Sequence, residues 1–443
     1  MKQNQGYDPG EPRVRAKKRI MENAPWYGLK RWLAALLAAL LIAAPLALPA
    51  FAQTPAEAKT QALNYIAESV KAPAFGSEWF VLAQARGGVK HAPYYKNYYV
   101  QTENYVKSKG NAKLSENRST ENSRLILALS SIGKNAADVG GYDLTAPLSD
   151  LEWLKVQGVN GPVNALLALD SGNYGTPQLR ETLLTYILSR EMPGGGWSFN
   201  GAVADADMTS MALQALAAYR DQTEVADALG RAVTALSGMQ LANGSFGFEE
   251  DGTNAESTAQ VVIAMAALGV NPMTDAQFAK AGGNPLSALL AYQLPGGGFK
   301  HKQTDVSANA MATDQAARAL VAYDRFVKGE SFIYANLYAP HAHVFGEWTT
   351  RTAVTCTAPG VEYQACGGCL VEENTRTAAA LGHEFIDTVT PPTKKAGGHT
   401  KHICTRCGYC YLDSFTDKIK RTQGFGFFDW LLFIFCFGWI WME

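Results

Sequence analysis

One stretch of the chain repeats itself at a spacing of about 50 residues, and this periodicity limits the fold more than any single residue does. Three copies align. Pro193-Gly194-Gly195-Gly196-Trp197 precedes Asp207-Met208-Thr209-Ser210, Asn243-Gly244-Ser245-Phe246 precedes Glu256-Ser257-Thr258-Ala259, and Pro295-Gly296-Gly297-Gly298-Phe299 precedes Ala312-Thr313-Asp314-Gln315. Each copy reads as an outer helix, a glycine turn carrying an aromatic, and an Ala-rich inner helix. A single helical hairpin cannot bury both of its faces, so such units must stack. Periodicity and punctuation predict helices over residues 55–70, 77–86, 93–109, 119–132, 146–156, 161–169, 177–191, 207–219, 225–240, 256–268, 275–293 and 307–326. Paired, these make six hairpins. With small residues on the inner helices they close into a mainly α, α6/α6 toroid with a central cavity, spanning residues 53–328.

Pro193-Gly194-Gly195-Gly196-Trp197 with its Ala-rich helix resembles the repeat of squalene cyclases and protein prenyltransferase β subunits, most clearly over residues 182–323. Cobalamin carriers are similar in ring architecture. The earlier Glu78-Trp79-Phe80 and Val139-Gly140-Gly141-Tyr142 look like secreted bacterial relatives of this repeat family. Asp205-Ala206-Asp207-Met208-Thr209 resembles the Asp-rich signature of the cyclases, which implies Asp207 as the general acid that protonates an alkene, with Asp205 beside it. Met208 stands where that signature has a further Asp. The competing reading makes Asp207 a helix start with Asp205 in the turn before it, because Glu256 with Thr258 and Ser119 with Thr120 occupy corresponding starts. Squalene cyclases use two helical barrels where this chain holds one. The chain has no Cys before Cys356, which argues against a zinc-dependent prenyltransferase.

Trp79, Trp197, Phe199, Phe246, Phe248 and Phe299 fall beside the starts of inner helices. Together with Glu256 they are candidates to line the mouth of a ligand cavity. Aromatics at a hairpin period are also what packing between repeats requires. Phe199 and Phe248, two residues beyond the wedge positions, are the better candidates for exposure.

Past Phe326 the composition turns β-rich and cysteines appear: Cys356, Cys366, Cys369, Cys404, Cys407 and Cys410, with Cys436 in the closing apolar segment. Thr355-Cys356 with Cys366-Gly367-Gly368-Cys369 recurs 38 residues later as Thr393-Lys394 with Cys404-Thr405-Arg406-Cys407, giving small Cys-containing modules over residues 341–382 and 383–416. They resemble short repeats near the C-termini of bacterial surface proteins. The cysteines suit structural zinc, with His343, His383, His399 or His402 as a further ligand, and equally suit disulfides outside the cell or free thiols. Lys394 replaces Cys356 in the second module, so the two cannot share one ligand set unless Cys410 substitutes.

A basic stretch including Lys17, Lys18 and Arg19, an apolar run from Trp32, and Ala50-Phe51-Ala52 form a secretory signal over residues 1–52. Met21 opens a compact version of it, and an uncleaved anchor is the alternative. The aromatic-rich segment over residues 425–442 predicts membrane association, although Asp429 interrupts it. With 39 basic and 40 acidic residues there is no electrostatic footprint for nucleic acid. The expectation is therefore a tethered protein on the outer face of a bacterial cell membrane, whose toroid binds a small molecule or surface partner without a complete catalytic set. An isoprenoid cyclase using Asp207 and a structural or adhesive spacer are the alternatives. A dry apolar cavity would favour the cyclase, an open polar one would favour binding, and a filled centre would favour the spacer.

Overall fold

The computed structural model describes residues 53–420 apart from 200, 202 and 248–251, together with 426 and 431. The signal expected over residues 1–52, Phe248 and nearly all of the apolar segment 425–442 lie outside the described residues. The chain forms two compact units, Met1–Glu57 and Ala58–Glu443. The architecture is mainly helical, with two small antiparallel sheets. Among the described residues no helix is long and apolar enough to cross a membrane.

The described helices are α1 (Pro55–Ser69), α2 (Glu78–Arg86), α3 (Ala92–Lys109), α4 (Thr120–Ser131), α5 (Leu151–Lys155), α6 (Asn160–Ser171), α7 (Pro177–Ser189), α8 (Ala206–Leu216), α9 (Thr223–Met239), α10 (Ala255–Leu268), α11 (Pro285–Leu290) and α12 (Ala310–Val327). Two expected helices differ. That over residues 146–156 is broken at Asp150, which takes φ −85°, ψ 89° and caps α5 by accepting a hydrogen bond from the Trp153 N–H. That over residues 275–293 shrinks to α11. Pro285 holds Asn284 in extended geometry, and the Asn284 side chain caps the short helix through the Ser287 N–H.

The even-numbered helices pack on one another in chain order, α2 on α4, α4 on α6, α6 on α8, α8 on α10 and α10 on α12, and α12 packs back on α2. Burial separates them from the odd-numbered set. In α10 every residue except Ala266 and Leu268 is buried, while α9 buries the single stripe Val225, Ala228, Leu229, Ala232 and Leu236.

The glycine turns explain why the repeat needs its sequence. Gly195, Gly244 and Gly297, each two residues before the wedge aromatic, have φ of 98°, 88° and 93°. A Cβ on Gly195 would lie 2.7 Å from the Arg231 backbone of α9, and one on Gly244 would lie 2.7 Å from the Asn284 backbone at the start of α11. At Gly297 the obstructing backbone is that of Gln61 in α1. The last turn therefore abuts the first helix, just as the earlier turns abut the outer element that follows them. Each wedge is then fixed identically: the N–H of Trp197, Phe246 and Phe299 donates to the hydroxyl of Thr209, Thr258 and Thr313, at 3.0, 3.1 and 2.8 Å.

After α12 the chain runs inward. Ile333 and Tyr334 are buried, and the N–H groups of Leu337 and Tyr338 both donate to the Ser171 carbonyl at the end of α6. The first module is a meander of β1 (Thr349–Thr352), β2 (Gly360–Ala365) and β3 (Glu373–Ala378). The second repeats it with β4 (Phe385–Thr390), β5 (Gly398–Cys404) and β6 (Cys410–Thr416).

Candidate functional site

The N-caps of three even-numbered helices set the geometry of the site. Asp205, Asn254 and Asn309 sit in extended backbone and accept hydrogen bonds from the first turns of α8, α10 and α12. Two residues past each cap, Asp207, Glu256 and Met311 face one cavity of about 400 Å³. Trp79 of α2, Asn164 and Leu167 of α6, and Gln214, Gln260, Gln315 and Arg318 complete most of its wall, with His301 and Tyr334.

The polar groups of the wall are connected to one another. The Gln214 amide donates to Gln260 Oε1 at 2.9 Å, and the Gln260 amide donates to Gln315 Oε1 at 2.7 Å, a ladder across three helices. Arg318 forms a two-pronged ion pair with Asp314, Nε to Oδ1 at 2.8 Å and Nη2 to Oδ2 at 3.2 Å, and donates from Nη1 to the Tyr334 hydroxyl at 2.6 Å. Its guanidinium also lies 4.3 Å from the centre of the Trp79 ring. A buried charge tolerates its loss of water only with such complete pairing.

Two carboxylates remain. Glu256 Oε2 lies 2.8 Å from His301 Nδ1. Asp207 accepts one hydrogen bond from the Ser257 hydroxyl at 3.0 Å. Burial pushes its acid up to about 6 against that hydrogen bond, and the nearby Asp205 and Glu256 charges push the same way. Asp205 is the capping residue: its carboxylate accepts from the N–H groups of Met208 and Phe199, both at 2.7 Å. This corrects the expectation that Asp207 starts the helix with Asp205 in the turn. Asp205 is occupied by backbone, and Asp207, two residues further on in the first turn, faces the cavity.

The aromatic candidates divide. Trp79 lines the cavity, as does Glu256. Trp197, Phe246 and Phe299 are each 0 % exposed and lie outside the cavity wall, because their rings fill the space between repeats; Trp197 Nε1 donates to the Ile187 carbonyl at 2.7 Å. Phe199 is exposed and also outside the wall. Sequence reading missed the glutamine ladder, His301, Arg318 and Tyr334. The glutamines were visible as polar residues inside otherwise Ala-rich helices, a signal of a wetted face, whereas Tyr334 lies in a connector with no periodicity to read.

Five of the cysteines fall, with histidines, into two groups, one inside the first expected module and one that crosses between the two modules. In one, His341, His343, Cys366 and Cys369 bring their ligand atoms within 4.8 Å of one another; in the other, Cys356, His383, Cys404 and Cys407 do the same. Cys356 thus leaves its own module for the second. Cys410 is exposed at the start of β6 and belongs to neither group, and His402 is instead held between Asp387 and Asp413 at 2.6 and 2.8 Å. Burial opposes ionisation of Cys366, but hydrogen bonds from His343 and neighbouring N–H groups bring its thiol down to about 6. The same balance, with His383 as the donor, brings Cys404 to about 5.

No protein-family model matches the chain, and no curated protein matches it. Among solved structures, a variant of a type II terpene cyclase from Scytonema, in complex with its substrate geranylgeranyl dihydroxybenzoate, is similar at 11% identity and a TM-score of 0.41, over 61% of this chain and 99% of that one.

Proposed function

We propose that this is an exported, membrane-tethered protein of a bacterial cell surface, and that its even-numbered helices wall an α6/α6 toroid whose cavity binds a small cationic, hydrogen-bonding molecule. The observation that carries the reading is the charge arrangement in the cavity. Its guanidinium, Arg318, is already matched by Asp314, while the Asp207 carboxylate is met by a neutral hydroxyl, that of Ser257. An amine that enters restores to Asp207 the counter-charge that burial withheld. The ladder of Gln214, Gln260 and Gln315 supplies amide donors and acceptors for hydroxyl or carbonyl groups of the same ligand.

The cyclase reading draws support from the raised pKa of the buried Asp207, which suits a proton donor near neutral pH. Two features weigh against it. Amide side chains, among them Gln214, Gln260 and Gln315, stand in the wall, and the Arg318 guanidinium lies over the Trp79 ring, whose face would otherwise be free to stabilise a carbocation. The spacer reading has a cavity of about 400 Å³ to account for.

Native mass spectrometry of the full chain from its own source tests the proposal, against an Asp207→Asn, Glu256→Gln variant. A cationic small molecule retained by the wild type and lost from the variant is the expected result. An empty wild type that converts an added isoprenoid, with Asp207→Asn inactive, would replace binding by cyclase chemistry.

A further inference from the structure

We infer that the C-terminal modules hold two structural zinc ions, one within the first module where it abuts the helical body, and one that clamps the joint between the two modules by taking a ligand from each. The argument starts from the distances. Zinc takes four N or S ligands in a tetrahedron, with Zn–S near 2.3 Å and Zn–N near 2.0–2.1 Å, so two ligand sulfurs should stand about 3.8 Å apart and a sulfur and nitrogen about 3.6 Å apart. Cys356 Sγ and Cys404 Sγ are 3.8 Å apart, and Cys407 Sγ is 3.4 Å from His383 Nδ1. In the other group His343 Nδ1 lies 3.4 Å from Cys366 Sγ and 3.8 Å from Cys369 Sγ. A disulfide needs its sulfurs at about 2.05 Å. The spacings are those of tetrahedron edges.

His341 adds an independent observation. Its Nδ1 lies 3.1 Å from the Ala339 carbonyl, an acceptor, so the ring hydrogen belongs there and Nε2 carries a lone pair. That Nε2 is buried and has no hydrogen-bond partner among the described residues. A histidine that donates one ring N–H to a carbonyl and aims the bare nitrogen into a Cys cluster is arranged as a metal ligand.

The placement of the fourth ligand distinguishes the two sites. Each module supplies one His and one Cys-x-x-Cys pair, His343 with Cys366 and Cys369, then His383 with Cys404 and Cys407. The remaining ligand has a different origin in each group. For the first it is His341, at the start of that same module. For the second it is Cys356, in the β1–β2 loop of the first module. The surroundings agree. At the first site Leu370 N–H donates to the Ile132 carbonyl at the end of α4, and Lys134 pairs with Glu372 at 3.2 Å. Gly133, at φ 78°, lies so close that a Cβ would stand 2.5 Å from that of Cys369. At the joint between the modules the N–H groups of Leu381 and Gly382 donate to the carbonyls of Thr355 and Cys356, both at 3.0 Å. The second module repeats the first of these bonds as Ile419 to Thr393, but Lys394 stands in the place of Cys356 and offers no thiolate.

The test is metal content of the full chain by elemental analysis, with the cysteines counted by alkylation and mass spectrometry. Two zinc ions per chain are expected, with Cys356, Cys366, Cys369, Cys404 and Cys407 protected from iodoacetamide and Cys410 reactive; a chelator should expose all five. Cys356→Ser and Cys404→Ser should each leave one ion, and so should their combination, because both belong to one site. Cys356→Ser with Cys366→Ser should leave none. Cys410→Ser should keep two. The alkylation pattern needs no variant, so it decides the matter even if a substitution prevents folding. Disulfide masses in place of protected thiols, or free reactivity of Cys356, Cys366, Cys369, Cys404 and Cys407 without chelator, would overturn the zinc assignment. One ion left in Cys356→Ser, Cys366→Ser and none in Cys356→Ser, Cys404→Ser would overturn the shared-joint arrangement.

Discussion

Asp207 couples the site to stability in a way that pH reveals. Burial raises its folded pKa from 3.8 to about 6, so the folded chain holds a proton that the unfolded chain releases first. The associated stability is complete below about pH 4 and is lost as pH rises through about 6, a loss of at most about 3 kcal/mol by pH 7.5. Asp207→Asn keeps a carbonyl for the Ser257 hydroxyl and cannot ionise. Chemical denaturation should therefore show the variant more stable than wild type by about 1–3 kcal/mol at pH 7.5 and equal to it near pH 4; an advantage that did not vary with pH would contradict the assignment. Gly244 tests the repeat at the same scale. Ala there meets both a positive φ and the Asn284 backbone, so Gly244→Ala should cost about 2–4 kcal/mol in the same assay. The sequence displayed Asp205 and Asp207 together but not which of them caps. That choice depends on where the helix begins, and two residues of shift exchange a backbone-bound carboxylate for a cavity-facing one.

Among the elements, most helices were legible because alanine-rich inner and striped outer segments leave different patterns. The losses came where local chemistry overruled periodicity, at the Asp150 cap and at Pro285. The connector after α12 was illegible for another reason: Tyr334 owes its burial to Arg318, a partner 16 residues earlier, and nothing local marks the pairing. The resulting group of Asp314, Arg318 and Tyr334 gives a sharp expectation. Arg318→Ala leaves Asp314 buried without its counter-charge and should destabilise the chain by about 3–5 kcal/mol. Adding Asp314→Asn should recover part of that loss, since the charge then disappears with its partner. Equal losses in the single and double variants would show that packing, rather than the ion pair, dominates.

At the scale of the whole molecule, the closed order of the even-numbered helices and the seating of Gly297 against α1 depend on first and last repeats meeting, which spacing implied through the count of hairpins. The cysteine groups were harder to read, because the alignment that reveals the modules invites each to be treated as self-contained, whereas Cys356 acts across the boundary. The proposed export makes a separate prediction: intact-mass measurement of the protein from its own source should place its first residue at Gln53, and a chain retaining residues 1–52 would instead favour the uncleaved anchor. The binding cavity is the central claim, and calorimetric titration of the full chain with glucosamine, with glucose as the uncharged control, tests it most directly. The account predicts saturable binding of the amine at pH 7 and little of glucose, with affinity at least tenfold weaker in Asp207→Asn, about 1.4 kcal/mol. Equal binding of both sugars, or an amine affinity indifferent to Asp207, would contradict it.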